Sequence, residues 1–540
     1  MVCYDTLKNK VIKLFLNLTR DSNIQFIRSE FNSLIEEIYD NYYKEGNAEL
    51  SSFLLVLYKL IGQTRDKKIG KGEYFLSYVL LYDFYKYFPA LSMILFNKFI
   101  TENYGSWKDI KLFCEYCRIE DETTKCNKSR ENFIDYAITI TNGQLQQDLE
   151  NMEKGEPISN VSKWIPREKT KYKWIFEKLA FMYFQEYFKN TKSKYQKRCA
   201  QHKAKRSYRL LISKLNRYNL TIETLQCEKK WSNISLTKLT SQNIGKYAYA
   251  FLNITKDGSK RNKIDDRTEF TKKFFNYVLT SDKIPSSQLS LDKIIGGLKS
   301  IDDKIFDLKT SPHEVNELLN LKYILNKIWE CKNNKINPIP NSLVLLDTSY
   351  DITVNNKLNS ALGIALQIIE KSSLPKRILT FGNGLKWINL ENKPLISDKL
   401  LVLNNEVNLF SDLKRAIDLL LDSLKESECS NESIKCLKIF VILNFNLNNK
   451  NIVNEIEMSY KEKKIELPTF IFWNLNGHVD NIKINNNFYY LSGVNTNILN
   501  MFSLAKHKHV KPLGGYESIE KILSHKRYQC LEDEFQNYFK

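Results

Sequence analysis

The chain has 540 residues, 43% hydrophobic and 26% charged, with only 18 Gly and 11 Pro. These proportions exclude a disordered, collagen-like or linker-rich polypeptide and predict two to four domains with a core that needs no disulfide staples. Lys and Arg number 81 against 62 Asp and Glu, and of the net +19 roughly +17 lies in the first 340 residues, the footprint of a polyanion partner.

The start, Met1-Val2-Cys3-Tyr4-Asp5, lacks the charged and then apolar regions of a signal peptide. Helices are predicted at Leu50–Ile61, at Tyr74–Tyr87, apolar on nearly every face, and at Trp174–Phe188. Shorter ones follow at Tyr208–Leu215, Tyr247–Ile254, Phe270–Leu279 and Leu318–Trp329. Gly70, Gly72, Gly105, Gly155, Pro157 and Pro285 fall between them, and many helices on short loops predict an all-α repeat array of HEAT-like type over residues 1–335.

The pattern changes at Ile336–Pro340. Short apolar runs at Leu343–Leu346, Arg377–Phe381, Leu400–Leu403, Leu437–Leu443, Thr469–Trp473 and Tyr489–Leu491 read as strands. They alternate with helices at Asn356–Glu370, Ser411–Leu424 and Val453–Lys463, and another is expected from Asn497. This alternation predicts a parallel, doubly wound α/β domain over 336–508, with ligands at the carboxyl ends of its strands. A helical tail over 509–540 completes the multidomain layout. No window holds 18 consecutive apolar residues, so no membrane helix is expected, and ten scattered Cys suit a reducing compartment. A cytoplasmic location follows, which means host cytoplasm or virion if the Asn-, Lys-, Ile- and Tyr-rich composition reflects a large AT-rich DNA virus.

Asp347-Thr348-Ser349-Tyr350-Asp351 follows the first strand of the α/β region. An Asp and a Ser two residues apart in such a turn can aim oxygens at a hard divalent cation, and the same residues can cap the next helix. The pentapeptide resembles the metal-ion-dependent adhesion site of von Willebrand factor A-type domains. By that resemblance Ser411 stands for the family's Thr, Asn444 for its second Asp and Asp351 for its second Ser. The implied site is degenerate: Asp347, Ser349, Asp351, Ser411 and Asn444 either hold Mg2+ or form an empty, vestigial loop held by hydrogen bonds.

Upstream, Thr64-Arg65-Asp66, Gly70-Lys71-Gly72-Glu73, Tyr104-Gly105-Ser106-Trp107-Lys108-Asp109, Lys163-Trp164-Ile165-Pro166-Arg167-Glu168, Tyr208-Arg209, Glu223 and Trp231 resemble landmarks of a TROVE-type helical module. With the late strands Pro468–Leu475 and Leu491-Ser492-Gly493, the chain resembles an uncharacterised family joining a TROVE-like module to a von Willebrand A-type domain, the architecture of the Ro autoantigen. Leu289–Ile294 departs from it where a Pro-His-Glu element is expected. The resemblance implies binding of small non-coding or single-stranded RNA by the helical module and of a protein partner by the A-type domain.

The residues add their own argument. Lys192, Lys194, Lys197, Arg198, Lys203, Lys205, Arg206 and Arg209 lie in a stretch without acidic residues, interleaved with Tyr195, His202 and Tyr208. Such cations neutralise phosphates while aromatic rings stack on unpaired bases, although a solvated helix face has the same composition. Arg65, Lys67, Lys68 and Lys71 form a smaller cluster beside glycines, which equally suits a tight inter-helix turn. Cys114-Glu115-Tyr116-Cys117 lacks a second metal-binding pair, and a buried thiol pair is the simpler reading. No G-x-x-x-x-G-K-[ST], H-E-x-x-H or G-x-S-x-G motif occurs. The expectation is a non-catalytic ribonucleoprotein scaffold. Its rivals are a protein-interaction scaffold without nucleic acid, a virion-associated component and, last, a metal-dependent enzyme.

Overall fold

The computed structural model describes residues 4–20, 22–45, 50–124, 131–256, 258–281, 284, 289–307, 312–349, 352, 357–382, 385–403, 412–427, 430–443, 450–475, 487–502 and 515–540. Two compact units result. One comprises Met1–Leu60, Lys67–Glu73 and Ser235–Arg527, and the other Ile61–Asp66, Tyr74–Ile234 and Tyr528–Lys540. Helices dominate both, and a six-stranded mixed sheet lies in the carboxy-terminal part of the chain.

The sheet belongs to the first unit. Its strands are β1 (Ser342–Asp347), β2 (Arg377–Phe381), β3 (Lys386–Asn389), β4 (Lys438–Leu443), β5 (Thr469–Asn474) and β6 (Phe488–Ser492), in the order β3-β2-β1-β4-β5-β6. β1, β4 and β5 are nearly continuous apolar runs, as strands covered on both faces are. Their register places Val344 beside Ile378 on one side and Phe440 on the other, and Ile442 beside Trp473. Alternation then divides the residues between two cores. Leu345, Val441, Phe470 and Phe472 join Leu413, Ile417, Leu420 and Ile456 of the helices Leu413–Glu426 and Lys450–Glu462 in one of them. The Leu358–Lys371 helix, buried along most of its length, packs against β1 and against the Leu291–Ile305 helix. A Cβ on Gly363 would sit 2.8 Å from the Leu291 Cβ, so this helix crossing requires glycine.

Two expectations need correction. Leu400–Leu403 is no strand but the end of the Ile396–Leu403 helix: Ile396 and Leu400, one turn apart, are buried while Leu401 is 41% exposed. A four-residue apolar run does not distinguish the two periods. The sheet is also not wholly parallel, because β3, absent from the sequence reading, pairs antiparallel with β2. Its K-W-I-N sequence is partly exposed at the sheet edge and carries no apolar run to reveal it.

In the second unit, aromatic rings of the helices Tyr74–Phe84, Pro89–Thr101, Lys108–Thr124 and Glu131–Glu153 form the core. Phe96 and Phe133 lie 4.6 and 4.8 Å from Phe113, centroid to centroid. The last helix, Gln529–Phe539, belongs to this unit, where the Leu531 side chain fills the space beside Gly62. The preceding Gly515–Leu523 helix belongs to the first unit, with Tyr516 5.5 Å from Phe53.

Candidate nucleic-acid interface

The acid-free stretch folds as one 25-residue helix, Lys194–Tyr218. Ser193 starts it with a capping box: its hydroxyl accepts from Gln196 N, and Gln196 Oε1 accepts from Ser193 N at 3.1 Å. Ala200, Ala204, Tyr208, Leu211 and Leu215 recur every three or four residues and form the buried stripe. The opposite face carries the cations. The helix begins far earlier than the predicted Tyr208–Leu215 because its first turns contribute only alanines to the core.

Lys192, Lys194, Lys197, Arg198 and Arg206 are exposed, and among the described residues no carboxylate lies within ion-pair distance of any of them. Tyr195 is 76% exposed beside them. Lys203 stands over the Tyr187 ring, 4.2 Å from its centroid. Lys205 and Arg209 differ. Lys205 pairs with Glu177 at 3.2 Å and Glu168 at 3.4 Å, and Arg209 pairs with Glu168. Burial disfavours the charge on Glu168, but the Arg209 and Lys205 contacts outweigh it and hold the carboxyl below its usual range. These two cations are committed to intramolecular pairs.

Tyr208 offers no stacking face. Its ring is fully buried between Phe176 and Tyr183, and its hydroxyl donates to Asn142 Oδ1 at 3.1 Å. The smaller cluster is likewise drawn inward. Arg65 Nε and Nη2 each lie 2.7 Å from a carboxylate oxygen of Asp109, which also accepts from the Tyr78 hydroxyl and, at 2.7 Å, from Ser106 N. Gly105 leaves room for this pair, since a Cβ there would lie 2.5 Å from Asp109 Oδ2. The T-R-D and Y-G-S-W-K-D motifs thus form one buried ionic joint, to which Tyr528 adds a 3.1 Å hydrogen bond to Asp66. Lys71 donates to the Phe15 carbonyl and lies 4.1 Å from the centroid of the Phe15 ring, and burial pushes its ammonium down to about 7 despite nearby Glu73. Gly72, at φ 72°, makes the turn. Of this cluster Lys67 is half-buried and Lys68 exposed.

Asp347 ends β1 at the point where strand order reverses between β1 and β4, the place where open α/β sheets bind ligands. It is fully buried, and its Oδ1 accepts from Ser349 N at 2.9 Å. Gly382, at φ 106°, lets the β2 exit pass this loop, since a Cβ there would lie 2.6 Å from Ser349 N. The described residues therefore bring one carboxylate and one hydroxyl to the sheet edge. Asp351, Ser411 and Asn444 lie outside the described residues. Among the described residues no group of three His, Cys, Asp or Glu side chains has the geometry of a metal site. Cys114 and Cys117 are both buried, and burial pushes the Cys114 thiol up to about 12.

Residues 341–526, which span all six strands, match the family described as "Domain of unknown function (DUF7788)". The chain is 22% identical over 491 residues to "Uncharacterized protein L728" of Acanthamoeba polyphaga mimivirus, covering 87% of this chain and 77% of that protein. The solved structure titled "Crystal structure of Deinococcus radiodurans RO (RSR) protein" aligns with 77% of this chain and 87% of its own at 10% identity and a TM-score of 0.31. No helix among the described residues is long and apolar enough to cross a membrane.

Sequence reasoning missed Tyr187, Lys214 and Arg217. Tyr187 precedes the basic helix, and Lys214 and Arg217 lie exposed on its last turns, Arg217 3.6 Å from Glu228. The signal was available: no Asp or Glu occurs from Tyr187 through Ile222. A Pro-His-Glu tripeptide also occurs, at 312–314, where it opens the Pro312–Asn333 helix.

Proposed function

We propose that this chain is a non-catalytic RNA-binding scaffold whose Tyr74–Ile234 helices hold RNA and whose α/β domain, of von Willebrand A type, holds a protein partner. One observation carries the reading: on the Lys194–Tyr218 helix and its approach, Lys192, Lys194, Lys197, Arg198 and Arg206 are exposed with no ion-pair partner among the described residues, and exposed Tyr195 stands among them. A run this long without an acidic residue, with most of its cations facing solvent, serves a polyanion. The sheet order with an antiparallel β3 edge, and Asp347 with Ser349 at the switch point, support the A-type reading. Mg2+ bound there would take Asp347 and Ser349 as ligands, together with Asp351, Ser411 and Asn444, and would supply a positive charge for an acidic group of the partner.

The test begins with protein purified without nuclease, whose absorbance ratio at 260 and 280 nm reports bound nucleic acid. Binding of total RNA is then titrated against salt. Five phosphate contacts predict a slope of log K against log salt of about −3.5 on single strands. A protein-like ratio together with no binding at low salt would refute the reading and favour the protein-only scaffold. A second reading, a virion-associated component, is favoured by the similarity to the mimivirus protein. The presence or absence of the chain in purified particles decides it.

A further inference from the structure

A surface pocket of about 310 Å³ opens where the Gln185–Phe188 turn meets the first turns of the basic helix. Its walls include Tyr187, Tyr195, Gln196, Cys199 and Lys203. Three features distinguish it from an ordinary groove between helices. Two aromatic rings line it, and one of them, Tyr195, is 76% exposed, so a flat face stands bare to solvent. The Lys203 ammonium is already fixed over Tyr187, 4.2 Å from the ring centroid, so one wall combines an aromatic surface with a positive charge. Gln196 spends its carbonyl oxygen on Lys192 N and Ser193 N, at 2.8 and 3.1 Å, which fixes the amide and leaves its Nε2 without a partner among the described residues.

Lys192, Lys194 and Lys197 neighbour these wall residues in the chain and are exposed. The volume is near the lower end of small-molecule sites, about 300–1,000 Å³, and suits one flat ring system rather than a folded ligand. Unpaired bases are read by stacking on aromatic faces, with side-chain amides meeting their polar edges and cations holding the adjoining phosphates.

Taking RNA as the ligand, as proposed above, we infer that this pocket receives a single unpaired base of the bound strand. The base stacks on Tyr195 against the Tyr187–Lys203 wall, the Gln196 amide donates to a base carbonyl or ring nitrogen, and Lys192, Lys194 and Lys197 take the flanking phosphates. The preferred substrate is therefore single-stranded, because a duplex keeps its bases stacked inside. Cys199, in the same wall, becomes covered when a strand is bound.

The experiment uses the full chain with 12-nucleotide oligoadenylate, oligouridylate and a duplex of equal length, read by fluorescence anisotropy. Tyr195→Ala is expected to weaken single-strand binding about 5- to 150-fold, from the usual value of base–aromatic stacking. Its salt slope should not change, since no charge is lost, and Tyr195→Phe should keep most of the affinity. Bound oligoadenylate should also slow N-ethylmaleimide labelling of Cys199 while leaving exposed Cys227 unaffected, with both sites followed by peptide mass spectrometry. If wild-type protein binds the single strands but Tyr195→Ala binds them equally and Cys199 is labelled at its free rate, the pocket assignment is wrong and the RNA-binding reading stands. If wild-type protein binds none of the three probes, both fail together.

Discussion

Arg65 and Arg198 are both arginines of basic clusters, and the structure gives them opposite roles that a pair of substitutions separates. Arg65 is 9% exposed and Asp109 1%, with two 2.7 Å contacts between guanidinium and carboxylate. Replacing Asp109 with Ala leaves the Arg65 charge buried beside a void and strands the Tyr78 hydroxyl and Ser106 N as well. Loss of one partner from a buried pair costs about 3–5 kcal/mol. The expected result is a drop of that size in the unfolding free energy of the unit formed by Ile61–Asp66, Tyr74–Ile234 and Tyr528–Lys540, read as loss of hydrogen-exchange protection at the amides of the Lys108–Thr124 helix. Arg65→Met combined with Asp109→Leu removes both charges and should recover most of the loss, because the desolvation penalty leaves with them. Arg198→Ala, on the exposed face, should change stability by less than about 0.5 kcal/mol but lower the RNA salt slope by about 0.7 on single strands. Should Asp109→Ala destabilise by under 1 kcal/mol, or Arg65→Met flatten the salt slope as Arg198→Ala does, the division into structural and ligand-facing cations is refuted.

Further outcomes follow from the same placements. Replacing Lys194, Lys197, Arg198 and Arg206 with Ala should lower the single-strand salt slope by about 2.8, whereas Lys205→Ala, which breaks intramolecular pairs, should reduce it by less than one contact. Tyr208→Phe should destabilise by about 1 kcal/mol through the lost bond to Asn142 and leave RNA affinity unchanged, as calorimetry and anisotropy together will show. Lys71, at about 7 in the folded chain against 10.5 in the free side chain, binds fewer protons folded than unfolded between those values. Stability should therefore rise with pH from about 7 to 10.5, and Lys71→Met should remove that part of the slope in denaturant titrations at stepped pH. Mg2+ should raise the melting temperature of the wild-type chain, and Asp347→Ala should abolish the increment. An equal shift in both would place the ion elsewhere.

Local pattern and chemistry were legible in the sequence. The apolar runs at 343–346, 377–381, 437–443 and 469–473 became strands buried along nearly their whole length, and 489–491 became a partly exposed edge strand. The absence of acids around Lys192–Arg209 marked a face that the fold leaves open to solvent. Asp347 was placed at a strand's carboxyl end by its position after the first apolar run. Whether a side chain points outward was not legible, because that is set by which neighbours reach it. Tyr195 and Tyr208 read alike as aromatics among cations, yet they lie 13 positions apart on one helix, and Tyr208 falls on the Ala200, Ala204, Leu211 and Leu215 stripe, where Phe176 and Tyr183 cover it. Glu168 and Glu177, distant in sequence, capture Lys205 and Arg209 but not Lys197 or Arg198. Asp109, 44 residues away, turns Arg65 from a surface cation into a buried joint. Composition and periodicity thus determined which segments carry charge and which form the core; the long-range contacts of the tertiary structure decided which charges remained free.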